Sequence, residues 1–244
     1  MLAAKPSDLR LEEIKGIGSS RAGHLYAVLK ANKSGKHTPV PASYVPKKVG
    51  LEVFIDYEWL SDINVDFTKD PPNLDGCEML FQVGAGFWKR GKWIYRQFVA
   101  AEESHKAELK MLKEFQGFLE EIGVFDPAKK AVCYHFAPAE PQQTERAIER
   151  HGTALTRLAS INWFDLLKEV FHAVPVAIPG AWSFGLKDIS AALSAYAPDH
   201  ANEWEGGIGS GQNAQIAGWI MYRQEKPLLS KEYSMLSLYL VAPH

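Results

Sequence analysis

The order of the apolar segments after residue 50 constrains the fold more than any other feature of the chain. A nearly continuous apolar run at 51–57 predicts a strand that is buried in a sheet. Two more strand patterns follow at 79–88 and 93–99, and the short basic turn 89–92 between them predicts a hairpin. The first half of this region therefore favours three neighbouring strands.

A helix and a fourth strand come next. Apolar side chains at helical spacing predict an amphipathic helix over 102–122, with Gly123 as its stop. The run 130–136 predicts the fourth strand. Three strands, a crossover helix and another strand predict an α/β fold with a mixed sheet and helices on its faces. Later helices are predicted at 140–151, 186–195, 212–224 and 228–241, and residues 161–172 are predicted to hold a short extended piece and another helix.

The first 50 residues have a different character, with nine basic residues against three acidic ones. Their helical pattern is broken by Gly16-Ile17-Gly18, and the polar stretch 31–48 contains three prolines. We therefore expect a helical hairpin segment at 1–32, a linker at 33–49 and the α/β domain at 50–244.

The net charge of −2 conceals this uneven distribution. Residues 56–78 hold seven carboxylates and one lysine. A basic arm is compatible with a polyanion and an acidic stretch with cations, although a solvated surface explains either one.

Neither a signal peptide nor an apolar run of membrane-spanning length is apparent in the sequence. The two cysteines, Cys77 and Cys133, form no CxxC pair, and we expect both to be small buried residues. These features predict a cytoplasmic protein without a membrane partner.

Two carboxylates end the first predicted strand. Alternation along a strand places Asp56 and Glu58 on one face and Tyr57 on the other. Neighbouring carboxylates repel unless a cation lies between them, and oxygen ligands suit Mg²⁺ or Mn²⁺. A single D-x-E pattern is also common on ordinary surfaces, so both interpretations stand.

The fourth strand delivers two more polar residues, His135 and Glu140. Glu140 can approach Asp56 from a neighbouring strand, or it can simply favour the start of a helix. His135 can belong to the same site or be a hydrogen-bonded core residue. Two weaker candidates are Asp165, which also suits a helix N-cap, and Lys187, which could contact a phosphate or be solvated.

Five motifs, taken together and in order, resemble a known family. They are FIDYE, LFQVGAGFW, YHFAPAE, WFDLL and SFGLKDI. Over about residues 50–240 the chain resembles the YprB-type RNase H-like domain. That domain belongs to the DnaQ-like 3′–5′ exonuclease superfamily and often follows a RecB-like nuclease domain in larger proteins.

The resemblance implies a five-stranded RNase H-like sheet that hydrolyses phosphodiester bonds with two Mg²⁺ or Mn²⁺ ions. Asp56 and Glu58 match the first motif of the family. His135 and Glu140 match the second motif, where many relatives have Asn and Asp. Asp165 matches an Asp that is not usually a ligand. The implied substrate is DNA or RNA, with single-stranded 3′ ends.

The sequence departs from the family near its end. Relatives carry a Tyr-Asn-x-x-Asp motif whose Asp is a metal ligand, and aligning Tyr233 with that Tyr puts Ser237 at the Asp position. A lost ligand or a fragment of a longer protein would each explain the difference. The alternative function is therefore a catalytically impaired nucleic-acid-binding module of a larger nuclease.

The N-terminal segment resembles a helix-hairpin-helix motif. Such a motif presents the backbone N–H groups of its glycine turn, here Gly16 and Gly18, to a phosphate. Lys15 and Arg21 flank the turn and would add salt-sensitive affinity. A small helical cap with a glycine turn is the simpler interpretation. Lys187 completes the predicted nucleic-acid contacts.

Overall fold

The computed structural model describes most of the chain, in two compact units. One unit consists of Met1–Lys47, Asp165–Glu203 and Pro243–His244, and the other of Lys48–Phe164 and Trp204–Ala242. The described residues are 9–39, 41–44, 46–47, 49–61, 74, 76–173, 176–196 and 211–223.

Five strands form one mixed sheet. They are β1 (Leu51–Leu60), β2 (Met79–Lys89), β3 (Lys92–Val99), β4 (Ala131–His135) and β5 (Trp163–Asp165). Their order across the sheet is β3-β2-β1-β4-β5, with β1 antiparallel to β2 and parallel to β4. The prediction of an α/β fold with a mixed five-stranded sheet flanked by helices is confirmed.

The described helices follow the predicted periodicity closely. They are α1 (Ser19–Ser34), α2 (His105–Ile122), α3 (Ala139–His151), α4 (Leu186–Tyr196) and α5 (Gly211–Arg223). The start of α2 lies a few residues after the predicted one because the Ser104 side chain caps the helix by accepting the Ala107 N–H. Gly123 ends α2 as predicted, with a φ of 88°.

Shorter helical segments connect these elements. The short extended piece and the helix predicted within 161–172 correspond to β5 and to a π-helix. The 3₁₀ segments are Leu11–Glu13, Ala42–Tyr44, Pro127–Lys129 and Gly152–Ser160, and the π-helix is Leu167–His172. None of the described helices is long and apolar enough to cross a membrane.

The two faces of β1 have different surroundings. Val53, Ile55 and Tyr57 point into the apolar core, where Phe115 of α2 is fully buried. Alternate residues point to the opposite face, where Phe54 is 39% exposed. The apolar run at 51–57 predicts burial on both sides, and that prediction is wrong at Phe54.

The first unit contains the N-terminal segment and α4. The predicted helical hairpin consists of the 3₁₀ turn Leu11–Glu13 and then α1, so only its second arm is an α-helix. The Asn32 side chain holds α1 in this unit, because its amide donates to Ala181 O and its oxygen accepts the Gly180 N–H.

The two cysteines of the second unit differ in their exposure to solvent. Cys133 is buried but Cys77 is exposed, so the prediction of two buried cysteines is wrong for Cys77. Several features of the sequence lie outside the described residues. They are Asp62, Asp66, Asp70 and Asp75 of the acidic stretch, the glycine-rich 206–210, the predicted helix at 228–241, Tyr233 and Ser237.

Candidate functional site

Parallel pairing of β1 with β4 stops in the middle of β1, which continues to Leu60, so Asp56 and Glu58 lie within the strand and not at its end as predicted. Phe54 pairs with Tyr134, so β4 ends at His135, one step before the level of Asp56. The chain then turns, and the first turn of α3 carries Glu140 to Asp56. The structure thus brings together two residues that the sequence predicts to share a site.

The two carboxyls perturb each other. Burial, and then the adjacent Glu140 carboxyl at hydrogen-bonding distance, raise the pKa of Asp56 to about 8. Two acids that share a poorly solvated position cannot both be ionised without a compensating charge. At neutral pH the pair therefore holds a proton or needs a cation.

Glu140 has an unsatisfied oxygen. Its side chain is 5% exposed, and its Oε2 accepts no hydrogen bond from any described residue. The nearest candidate donor, His135 Nδ1, is 3.4 Å away and lies closer to the Ala137 carbonyl oxygen, at 2.5 Å. Because a carbonyl can only accept, His135 Nδ1 carries the proton and donates it to Ala137.

The turn between β4 and α3 is strained to reach this geometry. Ala137 has a φ of 72°, in a region that residues with a Cβ seldom occupy. The strain turns the Ala137 carbonyl towards His135. Strained non-glycine residues are most frequent at functional sites, where the surrounding structure holds them in place.

The core face of the sheet positions Glu140. Thr144 donates its hydroxyl to the Glu140 carbonyl at 2.9 Å and is 3.1 Å from the Tyr57 hydroxyl. This chain fixes the first turn of α3 against β1. Sequence reasoning missed Thr144, although its position four residues after Glu140 places both on one side of the helix.

Tyr95 is a second residue that sequence reasoning missed. It lies on the same face as Asp56, and β2 offers only glycines, Gly84 and Gly86, at the paired positions between them. Burial, and then the charge of Asp56, raise the pKa of Tyr95, whose hydroxyl has no hydrogen-bond partner among the described residues. The signal available in the sequence was the G-x-G pattern within a strand.

Glu58 lies two positions beyond Asp56 on the same face, as alternation predicts, and is 8% exposed. The pairing of β1 shifts directly after it, between Glu58 and Trp59. In the described part of the chain no three His, Cys, Asp or Glu side chains surround a common point suited to a metal ion. The carboxylate pair is thus Asp56 and Glu140, with His135 beside it.

This pair fits a divalent cation in one respect. A buried carboxylate oxygen without a donor, next to a second carboxylate, is the donor set that a hard cation prefers. Mg²⁺ is commonly held by one or two carboxylates, with water and substrate phosphates completing its coordination. Two carboxylates are therefore enough for one such ion, while the predicted second ion and Glu58 as a ligand stay predictions.

In the first unit, the glycine turn precedes α1. Gly16 has a φ of 89°, and its carbonyl accepts a hydrogen bond from Arg21. Gly18 occupies the N-cap of α1 without a side-chain cap. Lys15 and Arg21 are exposed. A cavity of about 560 Å³ lies at this turn and is lined by Gly16, Gly18, Ser20, Arg21, His24, Leu25, His172 and Phe184.

The weaker candidates lie in the first unit as well. Asp165 accepts the Lys168 N–H at 3.1 Å, which supports its interpretation as a cap. Ser183 accepts the Gly185 N–H, and Lys187 is exposed in the first turn of α4. Nothing in these contacts assigns Lys187 to a phosphate.

Comparison with models of protein families, with curated proteins and with solved structures finds no match to this chain.

Proposed function

We propose that the chain is a divalent-cation-dependent nuclease of the RNase H-like, DnaQ-like class that acts on DNA or RNA, with single-stranded 3′ ends as its substrate. The observation that carries the proposal is the carboxylate pair Asp56–Glu140, with its unsatisfied Glu140 Oε2. The strand order β3-β2-β1-β4-β5 is consistent with an RNase H-like arrangement and supports the same class.

The residues at the site divide into those that would hold the cation and those that position them. Asp56 and Glu140 would hold Mg²⁺ or Mn²⁺, which when bound makes a water more acidic and neutralises charge on the scissile phosphate. Thr144 and Tyr57 fix the backbone of Glu140. His135 is a positioning residue, because its proton holds the Ala137 carbonyl and thereby the turn that presents Glu140.

A cleavage assay tests the proposal. The folded protein should degrade a labelled single strand in the presence of Mg²⁺ or Mn²⁺ and should be inactive in EDTA. Asp56→Asn and Glu140→Gln should each abolish cleavage, because each removes one ligand charge without changing side-chain size. Glu145→Gln is the matched control, since Glu145 lies exposed on the same helix as Glu140.

The outcome that overturns this function is equally direct. No cleavage by the folded wild-type protein with either ion, on DNA or on RNA, would exclude a nuclease. Retained cleavage in both Asp56→Asn and Glu140→Gln would move the active site elsewhere.

The glycine turn in the first unit favours a second candidate, a nucleic-acid-binding module within a larger nuclease. The uncapped start of α1 presents backbone N–H groups beside Arg21, and a cavity adjoins them. This function predicts salt-dependent binding without turnover. Lys15→Glu should weaken binding more than Lys30→Glu, a control with the same charge change at an exposed position further along α1. Equal binding of the two variants would exclude the turn.

A further inference from the structure

An aromatic row crosses the face of the sheet that carries Asp56. Phe54 of β1 lies between Tyr134 of β4, at 5.1 Å between ring centroids, and Trp93 of β3, at 5.8 Å. Trp93 in turn contacts Trp88 of β2 at 5.5 Å, and Phe164 contacts Tyr134 at 5.4 Å. Each strand of the sheet thus contributes one ring to the row.

A glycine in β2 makes room for this row of rings. Trp93 lies across Gly86 of β2, where an added Cβ would be 2.1 Å from the indole ring. Only glycine at this position allows Trp93 to lie between Phe54 and Trp88. The orientation of the Tyr134 ring is fixed by a hydrogen bond, because its hydroxyl donates to the Glu52 carboxylate at 2.8 Å.

Two rings of the row remain open to solvent. Trp88 is 47% exposed and Phe54 is 39% exposed, whereas Tyr134 beside them is 5% exposed. The half-buried Trp93 joins these two rings into one apolar surface, and contiguous exposed apolar surface is a feature of binding sites. Their position, on the same face as Asp56, points to a ligand of the site itself.

Basic residues continue the row at one end. Lys89, Arg90 and Lys92 form the β2–β3 turn directly after Trp88 and before Trp93, and all three are exposed. Cations beside aromatic rings are the usual composition of a surface for single-stranded nucleic acid, where bases stack and phosphates pair with Lys and Arg.

The spacing from this end to the carboxylate pair is short. Phe87 pairs with Val53, so Trp88 lies level with Glu52, four positions before Asp56 along β1. Four strand positions span about 13 Å. Stacked nucleotides rise 3.4 Å each along one strand, so about four of them cover this distance.

We infer that the face formed by Trp88, Phe54 and the basic turn 89–92 binds an unpaired nucleic-acid strand and delivers its end to Asp56 and Glu140. The path of the strand follows from charge, since the phosphates of the bound segment meet the basic turn while the carboxylate pair accepts only the phosphate that a cation neutralises. This inference rests on the proposed function for the end of the strand at Asp56, but binding to the rings can be measured without cleavage.

The experiment uses the full chain carrying Glu140→Gln, in EDTA, so that no strand is cut. Fluorescence anisotropy of a labelled ten-nucleotide oligothymidylate measures binding. Adding Trp88→Ala should weaken binding about 5- to 140-fold, the effect of losing one base–aromatic stack. Trp182→Ala is the matched control, because Trp182 is 59% exposed and belongs to the other unit.

A second variant tests the charges. Lys92→Glu should lower the dependence of binding on salt, while Lys110→Glu, an exposed lysine on α2, should leave it closer to that of the parent. A blunt duplex of the same length should bind more weakly than the single strand, because its bases are not available to stack.

The results separate the two proposals. Cleavage by the wild-type chain together with equal binding of the Trp88→Ala and Trp182→Ala variants would overturn the inference and leave the nuclease. Trp88-dependent binding without any cleavage would support the inference and exclude the nuclease. Self-association that Trp88→Ala abolishes, without binding to the oligonucleotide, would assign this face to a second copy of the chain and overturn the inference.

Discussion

Two carboxylates on neighbouring helices of one unit are almost fully buried, Glu108 on α2 and Glu140 on α3, yet their surroundings are opposite. Arg150 approaches Glu108 at 2.6 Å and His151 at 2.7 Å, and the Leu80 N–H donates to it as well. Glu140 instead faces another acid, Asp56.

The pKa values follow this contrast. Burial alone would raise the pKa of Glu108, but the hydrogen bonds from His151 and Arg150 hold it below its ordinary value. Asp56 beside Glu140 has its pKa raised by burial and by the second carboxyl. The first cluster is satisfied internally and joins β2, α2 and α3, whereas the second finds no compensating charge among the residues that the structure describes.

Breaking the satisfied cluster should have the largest effect. Glu108→Gln leaves the Arg150 guanidinium without its counter-charge in a largely buried position and weakens the acceptor that His151 contacts, and we expect a loss of about 3–5 kcal/mol in the free energy of unfolding. Urea denaturation at pH 7 measures it. Glu114→Gln, at an exposed position of the same helix, should change stability by less than about 0.5 kcal/mol. A loss below about 1 kcal/mol for Glu108→Gln would contradict a structural role.

Removing one carboxylate of the Asp56–Glu140 pair should change the free energy of unfolding in the opposite direction, as a stabilisation. In the folded state the pKa of Asp56 is about 8, above its usual 3.8, so the folded chain binds more protons than the unfolded chain and loses stability as pH rises from about 4 to 8. Glu140→Gln removes the repulsion but not the burial. It should therefore raise the free energy of unfolding by about 1–3 kcal/mol at pH 8 in EDTA, and have little effect at pH 4.

Thermal and urea unfolding at the two pH values test this prediction, with Glu145→Gln as the exposed control on α3. Equal destabilisation by Glu140→Gln at pH 4 and pH 8 would show that Glu140 supports the fold in the way that Glu108 does. The contrast between the two clusters would then be lost.

The smallest effect concerns the strained turn beside the pair. Ala137→Gly relieves a left-handed conformation that costs about 1–2 kcal/mol, but it also gives the unfolded chain more freedom. We expect a net stabilisation of about 0.5 kcal/mol by urea denaturation, whereas Ala191→Gly, at an exposed position inside α4, should lose about 0.5–1 kcal/mol. Similar losses in both variants would mean that the turn stores no strain.

Much of the fold could be predicted from local patterns. The strands at 79–88 and 93–99 and the helix ending at Gly123 lie where periodicity places them, because one buried face imposes a regular spacing of apolar residues. Periodicity failed at Phe54, since an apolar run does not show which of its side chains faces solvent. It also failed at Leu11–Glu13, where a helical pattern forms only a 3₁₀ turn.

The candidate site was predictable in part. His135 and Glu140 follow the end of β4, and its parallel pairing with β1 brings that end close to Asp56, although β1 itself continues to Leu60. Thr144 was not predictable, because its role depends on α3 packing against Tyr57 of β1. Tyr95 was not predictable, because its proximity to Asp56 depends on the pairing that places glycines of β2 between the two residues.

The sequence by itself determined the order of strands and helices and the residues available for a charged site, since these depend on spacing along one chain. Only the tertiary structure decided that the charge of Glu108 is compensated by Arg150, while Glu140 meets no basic partner of this kind among the described residues. That difference depends on the charges that distant segments bring within a few ångströms, where the low dielectric constant of a buried site strengthens each electrostatic interaction. The same packing left Trp88 and Phe54 exposed on the face of the sheet that carries Asp56, which no periodicity in the sequence indicates.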